Sequence, residues 1–276
     1  MGKIFDLDSP FMSALSKMAD IMWLNILTLI FATPLIIEQA ITLGGYYIGF
    51  SDGTITSLEG IEFYVGIAWI LGIICSIPLG PALTAMHYVL LKLVRDEESY
   101  VTKSYFKSFK ENFKQGAVLQ VIKFTVGGLL LMDFLLMRNV SGVYIYVVLA
   151  VALILYMVSL YVFPILSKFV NTVRGTLKNS ALMAIMVLPK TILMVLISAI
   201  PLIVIYFFYV KALPLLILFG IAGPGFLQAL LYNGTFKKFE PKEENVSEEE
   251  ELEAAIRKID VNDAEADKEA ETTDNQ

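Results

Sequence analysis

The residues that could do chemistry in this chain are a few ionisable groups set among apolar neighbours. Lys123 is the strongest candidate, because a charge kept within a membrane segment is costly and usually serves a function. If it faces a cavity it could line a transport path, and if not its long side chain could reach back to the interface. His87 is better interpreted as a hydrogen-bonded structural residue, and Asp133 and Lys190 as residues near the two membrane interfaces.

The sequence contains no motif that indicates a catalytic site. The chain has one histidine and one cysteine, Cys75, which excludes most zinc sites, and no spacing of acids and histidines suits a metal. A nucleophile elbow, a phosphate-binding loop and a kinase signature are all missing from the sequence. We therefore predict a protein that is not an enzyme and that uses no cofactor and no metal.

Prolines and glycines interrupt two long apolar runs. They are Pro78, Gly80 and Pro81 in one run, and Gly223, Pro224 and Gly225 in the other. Breaks of this kind expose backbone groups that bind substrates or ions in transporters, or they simply bend a helix. A straight helix from Ile61 through Leu93 would run roughly 50 Å, so the first break is expected to be a bend at the cytoplasmic interface. For the second break, which lies deeper in its run, both interpretations stay open.

The elements that must position these residues are membrane-spanning helices. Hydrophobic residues make up 57% of the chain, charged residues only 17%, and the mean hydropathy is +0.68. Apolar runs that reach the roughly 20 residues needed to cross a bilayer lie near 20–37, 61–80, 115–137, 143–166, 187–210 and 212–232. We predict an all-α, polytopic transmembrane bundle of about six spans over residues 1–239.

Basic residues accumulate in every second connection between these runs. The richest connection holds Lys92, Arg95, Lys103, Lys107, Lys110 and Lys114, whereas residues 38–62 hold no lysine or arginine. Because short cytoplasmic loops carry the excess of basic residues, the alternation predicts six spans with both termini in the cytoplasm. Topology accounts for the basic residues, so nucleic-acid binding is not predicted.

The basic connection around residue 106 is expected to be an amphipathic helix on the cytoplasmic membrane surface. Its aromatic residues gather on one helical face and its lysines lie on or beside the other, so apolar burial and anionic lipid both attract it to the bilayer. A second amphipathic connection follows near Phe169–Lys178. As a docking surface for a partner, the first connection offers Phe106, Phe109, Lys110, Asn112, Phe113 and Lys114.

The end of the chain differs from the rest in composition. Residues 240–276 carry 15 acidic and 4 basic residues, which leaves 12 acidic and 17 basic residues for the preceding part. Low hydrophobicity and high charge are typical of a disordered, solvated segment. We predict an acidic cytoplasmic tail, mostly disordered, that is separable from the membrane domain.

A central block of the sequence comprises Pro78-Leu79-Gly80-Pro81-Ala82, Lys92-Leu93-Val94-Arg95-Asp96-Glu97-Glu98, and Phe106 with Phe109-Lys110-Glu111-Asn112-Phe113-Lys114-Gln115. This block resembles the hallmark of the YesL family of bacterial membrane proteins. Pro164, Phe169 and Lys178-Asn179-Ser180-Ala181 are similar to that family's second cytoplasmic segment. The family has no established molecular function. Its members are commonly encoded beside carbohydrate-uptake transporters and polysaccharide-degrading enzymes, so the resemblance implies a multi-pass protein of the bacterial cell membrane with a role near sugar import.

Two functional hypotheses follow. The first is a non-enzymatic accessory or regulatory component that lies in the lipid bilayer and binds a sugar-transport permease through its cytoplasmic connections. The second is a small transporter whose path is lined by the broken helices and Lys123. The sequence favours the first, because the cytoplasmic segments carry most of its recognisable pattern.

Overall fold

The computed structural model describes residues 10–55, 60–97, 100–137 and 142–240. The chain divides into two compact units, residues 1–235 and residues 236–276. The described part of the second unit is the end of the last helix, through Glu240. Apart from that residue, the predicted acidic tail lies outside the described residues.

The described residues form helices and no strands, which confirms the all-α class. The helices are α1 (Pro10–Ser51), α2 (Ile61–Cys75), α3 (Leu79–Val94), α4 (Val101–Glu111), α5 (Phe113–Met137), α6 (Gly142–Lys168), α7 (Val173–Met186), α8 (Leu188–Phe208), α9 (Leu213–Phe219) and α10 (Ala222–Phe239), with a 3₁₀ turn at Tyr209–Ala212 between α8 and α9. Helices satisfy their backbone hydrogen bonds internally, which an apolar environment demands.

By length and composition, four helical stretches of the described residues could cross a membrane, and a fifth if one bent pair counts as a single span. The four are α1, α5, α6 and the stretch Leu188–Phe219, and the bent pair is α2 with α3, which meet at 61°. The chain is thus a multi-pass membrane protein by these criteria, and the predicted count of six is above this number. The difference lies in the stretch Leu188–Phe219, which counts here as one span. The sequence instead predicts one span at 187–210 and the start of another at 212–232.

The chain reverses its direction within that stretch. Lys190 near the start of α8 donates a hydrogen bond to Thr235 near the end of α10, at 3.1 Å, and Gln228 donates to the carbonyl of Met194, at 3.2 Å. Those pairings require α8 and α10 to run antiparallel. Tyr209, with φ 48° and ψ −130°, lies in the turn between them. Leu188–Phe219 therefore holds one helix and the start of a returning one.

Helix α3 is the most buried helix of the bundle and contacts α1, α4, α5 and α6. A Cβ atom at Gly80 would lie 2.1 Å from the carbonyl oxygen of Gly116, so the backbones of α3 and α5 touch at this point. Likewise, a Cβ atom at Gly128 would lie 2.0 Å from the indole of Trp69, where α2 packs on α5. Both glycines are required for close helix packing.

Candidate functional site

Helix α4 is attached to the bundle by one face. Val101, Tyr105 and Ser108 are buried and recur at the spacing of a single helical face, as expected for a surface helix. The ring of Tyr105 stacks on that of Phe31 in α1 at 6.2 Å between centroids. Burial raises the pKa of the Tyr105 hydroxyl well above its ordinary value, as expected for a hydroxyl removed from water. The amphipathic helix predicted from the sequence is thus present.

The six predicted docking residues divide into two groups. Phe109 is half-buried and packs on Phe31 at 4.4 Å between ring centroids, and the amide of Asn112 donates to the carbonyl of Ser108 at 3.0 Å. Phe109 therefore attaches α4 to α1, whereas Asn112 caps the end of α4. The four exposed residues are Phe106, Lys110, Phe113 and Lys114. Among these four, Phe106 also meets the edge of Phe31 at 6.3 Å and Phe113 that of Phe109 at 5.6 Å between ring centroids. A partner can therefore bind the two lysines without disturbing the packing of α4.

A groove of about 730 Å³ lies between α4 and the N-terminal part of α1. It is lined by Asp20, Trp23, Tyr100, Val101, Thr102, Lys103, Phe106, Lys107 and Lys110. The lining has three lysines and a single carboxylate, that of Asp20, so the groove has a net positive charge. Trp23 donates a hydrogen bond to the hydroxyl of Thr102 at 2.9 Å, which fixes the two walls relative to one another. Such a surface suits an acidic segment that also carries apolar side chains.

The break between α9 and α10 is closed by Asn25, a residue of α1. Its side-chain amide donates to the carbonyls of Leu216 and Ile217, at 3.1 and 2.7 Å. Its side-chain oxygen accepts from the backbone amides of Ile221 and Ala222, both at 2.8 Å. Four backbone groups at the break are therefore satisfied within the protein, and these four need no ligand.

The glycines and proline of this break lie in the first turn of α10. Gly223 and Pro224 line an apolar cavity of about 360 Å³ against α1 and α8. A Cβ atom at Gly225 would lie 2.9 Å from Leu90, so this glycine lets α10 pack closely on α3. At the other break, the 61° bend separates α2 from α3 at Pro78, and Gly80 and Pro81 contact Gly116.

Lys123 lies elsewhere, in a cavity between α5 and α6. Its ammonium group is 5.3 Å from the centre of the Phe163 ring. The residues around this cavity include none of those from either break, and the cavity beside Gly223 does not include Lys123. Neither of these two cavities therefore contains both Lys123 and residues of a helix break.

The remaining ionisable candidates all have hydrogen-bonding partners. His87 and Tyr232 meet at 3.1 Å in the core. Asp133 accepts from the hydroxyl of Tyr144, at 2.8 and 2.9 Å to its two oxygens. Lys190 donates to Thr235, as described above. Within the described ranges, no group of three histidine, cysteine or acidic residues is placed to hold a metal ion.

Asn25 is the residue that our sequence analysis overlooked. Its sequence context, a single amide side chain between Leu24 and Ile26 in an apolar run, could have indicated its role. An amide that is buried in an apolar environment must form hydrogen bonds with other groups of the protein. The partners of Asn25 lie 191 to 197 residues further along the chain and leave no local pattern.

Residues 21–134 match the family model described as a protein of unknown function, DUF624. The match runs from α1 to α5 and covers less than half of the chain. It includes α4, Gly80 and Lys123, whereas the Asn25 partners in α9 and α10 lie beyond it. No curated protein and no solved structure matches the chain.

Proposed function

We propose that this protein is a non-enzymatic accessory or regulatory component of the membrane that binds a carbohydrate permease through its cytoplasmic surface. The observation that carries the proposal is the groove between α1 and α4. Its lysines and Phe106 are exposed, while Tyr105 and Phe109 anchor the helix that presents them. A surface that is both exposed and held rigid is what a permanent docking site requires.

The proposal includes a six-pass topology with both termini in the cytoplasm. Contacts at one end of the bundle support it. Lys17 near the start of α1 forms an ion pair with Asp96 after α3, and Arg95 donates to Asn233 in α10 at 2.9 Å. The start of α1, the end of α3 and the last turns of α10 therefore share one end. Because the basic connection also lies there, we assign this end to the cytoplasm.

The link to carbohydrate uptake rests on the resemblance to the YesL family and on nothing else in the chain. The partner that we propose is a sugar-transport permease whose cytoplasmic side offers an acidic segment with apolar side chains. Such a segment would place carboxylates beside Lys103, Lys107 and Lys110 and an apolar side chain against Phe106. Binding of this kind is expected to weaken as the salt concentration rises.

Co-purification in mild detergent with a tagged, co-expressed sugar permease tests the proposal. The informative variant combines Phe106→Ser with Lys110→Glu, because both side chains are exposed and line the groove. Phe106 also contacts the rings of Phe31 and Tyr105, so Lys110→Glu is made alone as well, which leaves those rings in place. The matched control combines Phe208→Ser with Lys211→Glu, which makes the same chemical change at exposed residues beside the turn between α8 and α9. We expect a stoichiometric complex with the unmodified chain and the control, and its loss with the groove variant. Failure of the unmodified chain to retain any sugar permease would refute the proposal.

A small transporter is the alternative function, and the cavity at Lys123 is the observation that favours it. Asn25 argues against it, because four backbone groups at the break between α9 and α10 are already bonded to its side chain. Purified protein in sealed vesicles separates the two functions. Sugar flux that Lys123→Ala and Gly223→Leu both abolish would favour the transporter and exclude a purely accessory role.

A further inference from the structure

The cavity that contains Lys123 is a long apolar groove between α5 and α6. Its volume is about 500 Å³, within the roughly 300–1,000 Å³ that is usual for small-molecule sites. Along α5 its lining extends from Leu119 to Phe134, which is roughly 22 Å at the helical rise. The facing wall on α6 extends from Val162 back to Val148. A groove this long and narrow fits an extended hydrocarbon chain better than a compact solute.

Polar groups are concentrated at one end of the groove. Lys123 and Ser159 lie toward that end, and Tyr156 lies near the middle of the α6 wall. The hydroxyl of Tyr156 donates to Ser198 at 2.7 Å, and that of Ser159 donates to the carbonyl of Tyr156 at 2.8 Å. Both hydroxyl protons are thus already used within the protein. The ammonium group of Lys123 is left as the donor that a ligand in the groove would meet.

The charge of Lys123 has no acidic partner in the described parts of the chain. No carboxylate oxygen there lies within 4.0 Å of its nitrogen, and the ring of Phe163 provides only a cation–π contact. A cation–π contact compensates a desolvated ammonium only in part. A ligand that complements this site therefore has an anionic group to meet the Lys123 ammonium and a hydrocarbon chain to fill the apolar groove.

The depth of the ammonium group suits a lipid headgroup. Phe163, over which it lies, is five residues before Lys168 at the end of α6, roughly 7–8 Å along the helix. The charged end of the groove is therefore near the basic side of the bundle, and the apolar remainder extends toward the other side. Basic pockets between spanning helices on the cytoplasmic side are where anionic lipid headgroups bind.

From this geometry we propose that the groove between α5 and α6 binds one anionic phospholipid, with an acyl chain along the groove and the phosphate accepting hydrogen bonds from Lys123. A sugar does not fit this lining, because many hydroxyls would face apolar side chains with a single donor to meet them. The proposed lipid site is separate from the groove at α4, and it holds whether or not the chain binds a permease.

Native mass spectrometry of the full-length chain in mild detergent tests the site. The probes are phosphatidylglycerol and phosphatidylcholine with identical acyl chains. We expect a first bound lipid that prefers phosphatidylglycerol, because its phosphate charge is not cancelled by a choline group as it is in phosphatidylcholine. We expect Lys123→Met to reduce that preference about tenfold, because the attraction between the ammonium charge and the net negative charge of the lipid is lost. Lys190→Met removes the same charge from another membrane helix, where the lysine already has a partner in Thr235, and should leave the preference unchanged.

A second variant tests the chain-binding part of the groove. Gly127 lines the groove, and a Cβ atom at this position would meet no other atom within 4 Å. Gly127→Leu should therefore fold normally, fill the groove and weaken the binding of both lipids. Equal affinity of the unmodified chain for the two lipids, or an unchanged preference in Lys123→Met, would overturn the proposal. If Lys123→Met does not fold, unaltered lipid binding in Gly127→Leu would overturn it instead.

Discussion

Replacing Asn25 by alanine should destabilise the membrane domain, because one side chain holds together the break between α9 and α10. The structure gives this amide four hydrogen bonds to backbone groups, at 2.7 to 3.1 Å. All four lengths lie in the ordinary range for strong N–H···O bonds. After the substitution, two carbonyls and two amides would remain in an apolar environment without these bonds.

The size of the effect follows from those four bonds. Hydrogen bonds between helices in membrane proteins contribute roughly 0.6 kcal/mol on average and at most about 1.7 kcal/mol. Four bonds at the average value give about 2.4 kcal/mol, and the space left by the removed amide adds to this. We therefore expect Asn25→Ala to lower the free energy of unfolding by about 2–4 kcal/mol.

Reversible unfolding in mixed detergent micelles measures this quantity, and amide hydrogen exchange locates it. In Asn25→Ala, the amides of Ile221 and Ala222 should exchange faster than in the unmodified chain. Thr33→Val is the matched control on the same helix, because the exposed Thr33 hydroxyl bonds only to the carbonyl of Leu29 one turn earlier. Its effect should stay within about 0.5 kcal/mol.

Two results would refute the reasoning. A loss of stability in Asn25→Ala no larger than that of Thr33→Val would mean that the four bonds do not stabilise the fold. Unchanged exchange at Ile221 and Ala222 would mean that their amides do not depend on Asn25.

Two further predictions concern glycines at helix contacts. Gly80→Ala should cost about 1–3 kcal/mol in the same unfolding measurement, because the new methyl group would meet the rigid carbonyl of Gly116. Gly44→Ala, where a Cβ atom meets nothing within 4 Å, should cost nothing measurable. Gly128→Ala should displace the indole of Trp69 and shift its fluorescence emission, and an unshifted spectrum would show that the contact is not tight.

The positions of the helices were largely predictable because hydropathy determines them directly. The runs predicted at 143–166 and 187–210 correspond to α6 at Gly142–Lys168 and α8 at Leu188–Phe208. Where a run contains a bend, hydropathy alone did not find it. The run at 61–80 is divided by the bend between α2 and α3, and that at 212–232 by the break between α9 and α10. Proline and glycine indicated both places, while the angles depend on packing between helices.

The candidate sites were less predictable, because they depend on contacts between distant parts of the chain. Helical spacing predicted the two faces of α4, but it could not show that Phe109 packs on Phe31 while Phe106 stays exposed. Lys123 was recognised from its apolar surroundings. The groove around it requires the pairing of α5 with α6, which a single sequence does not reveal.

The bonds made by Asn25 also constrain how the protein is made. Helix α1 is synthesised with an amide whose partners lie 191 to 197 residues further along the chain. The Asn25 amide and the break between α9 and α10 can satisfy one another only after these later residues have been made and have reached α1. A chain interrupted before α9 therefore keeps an amide in α1 without these partners.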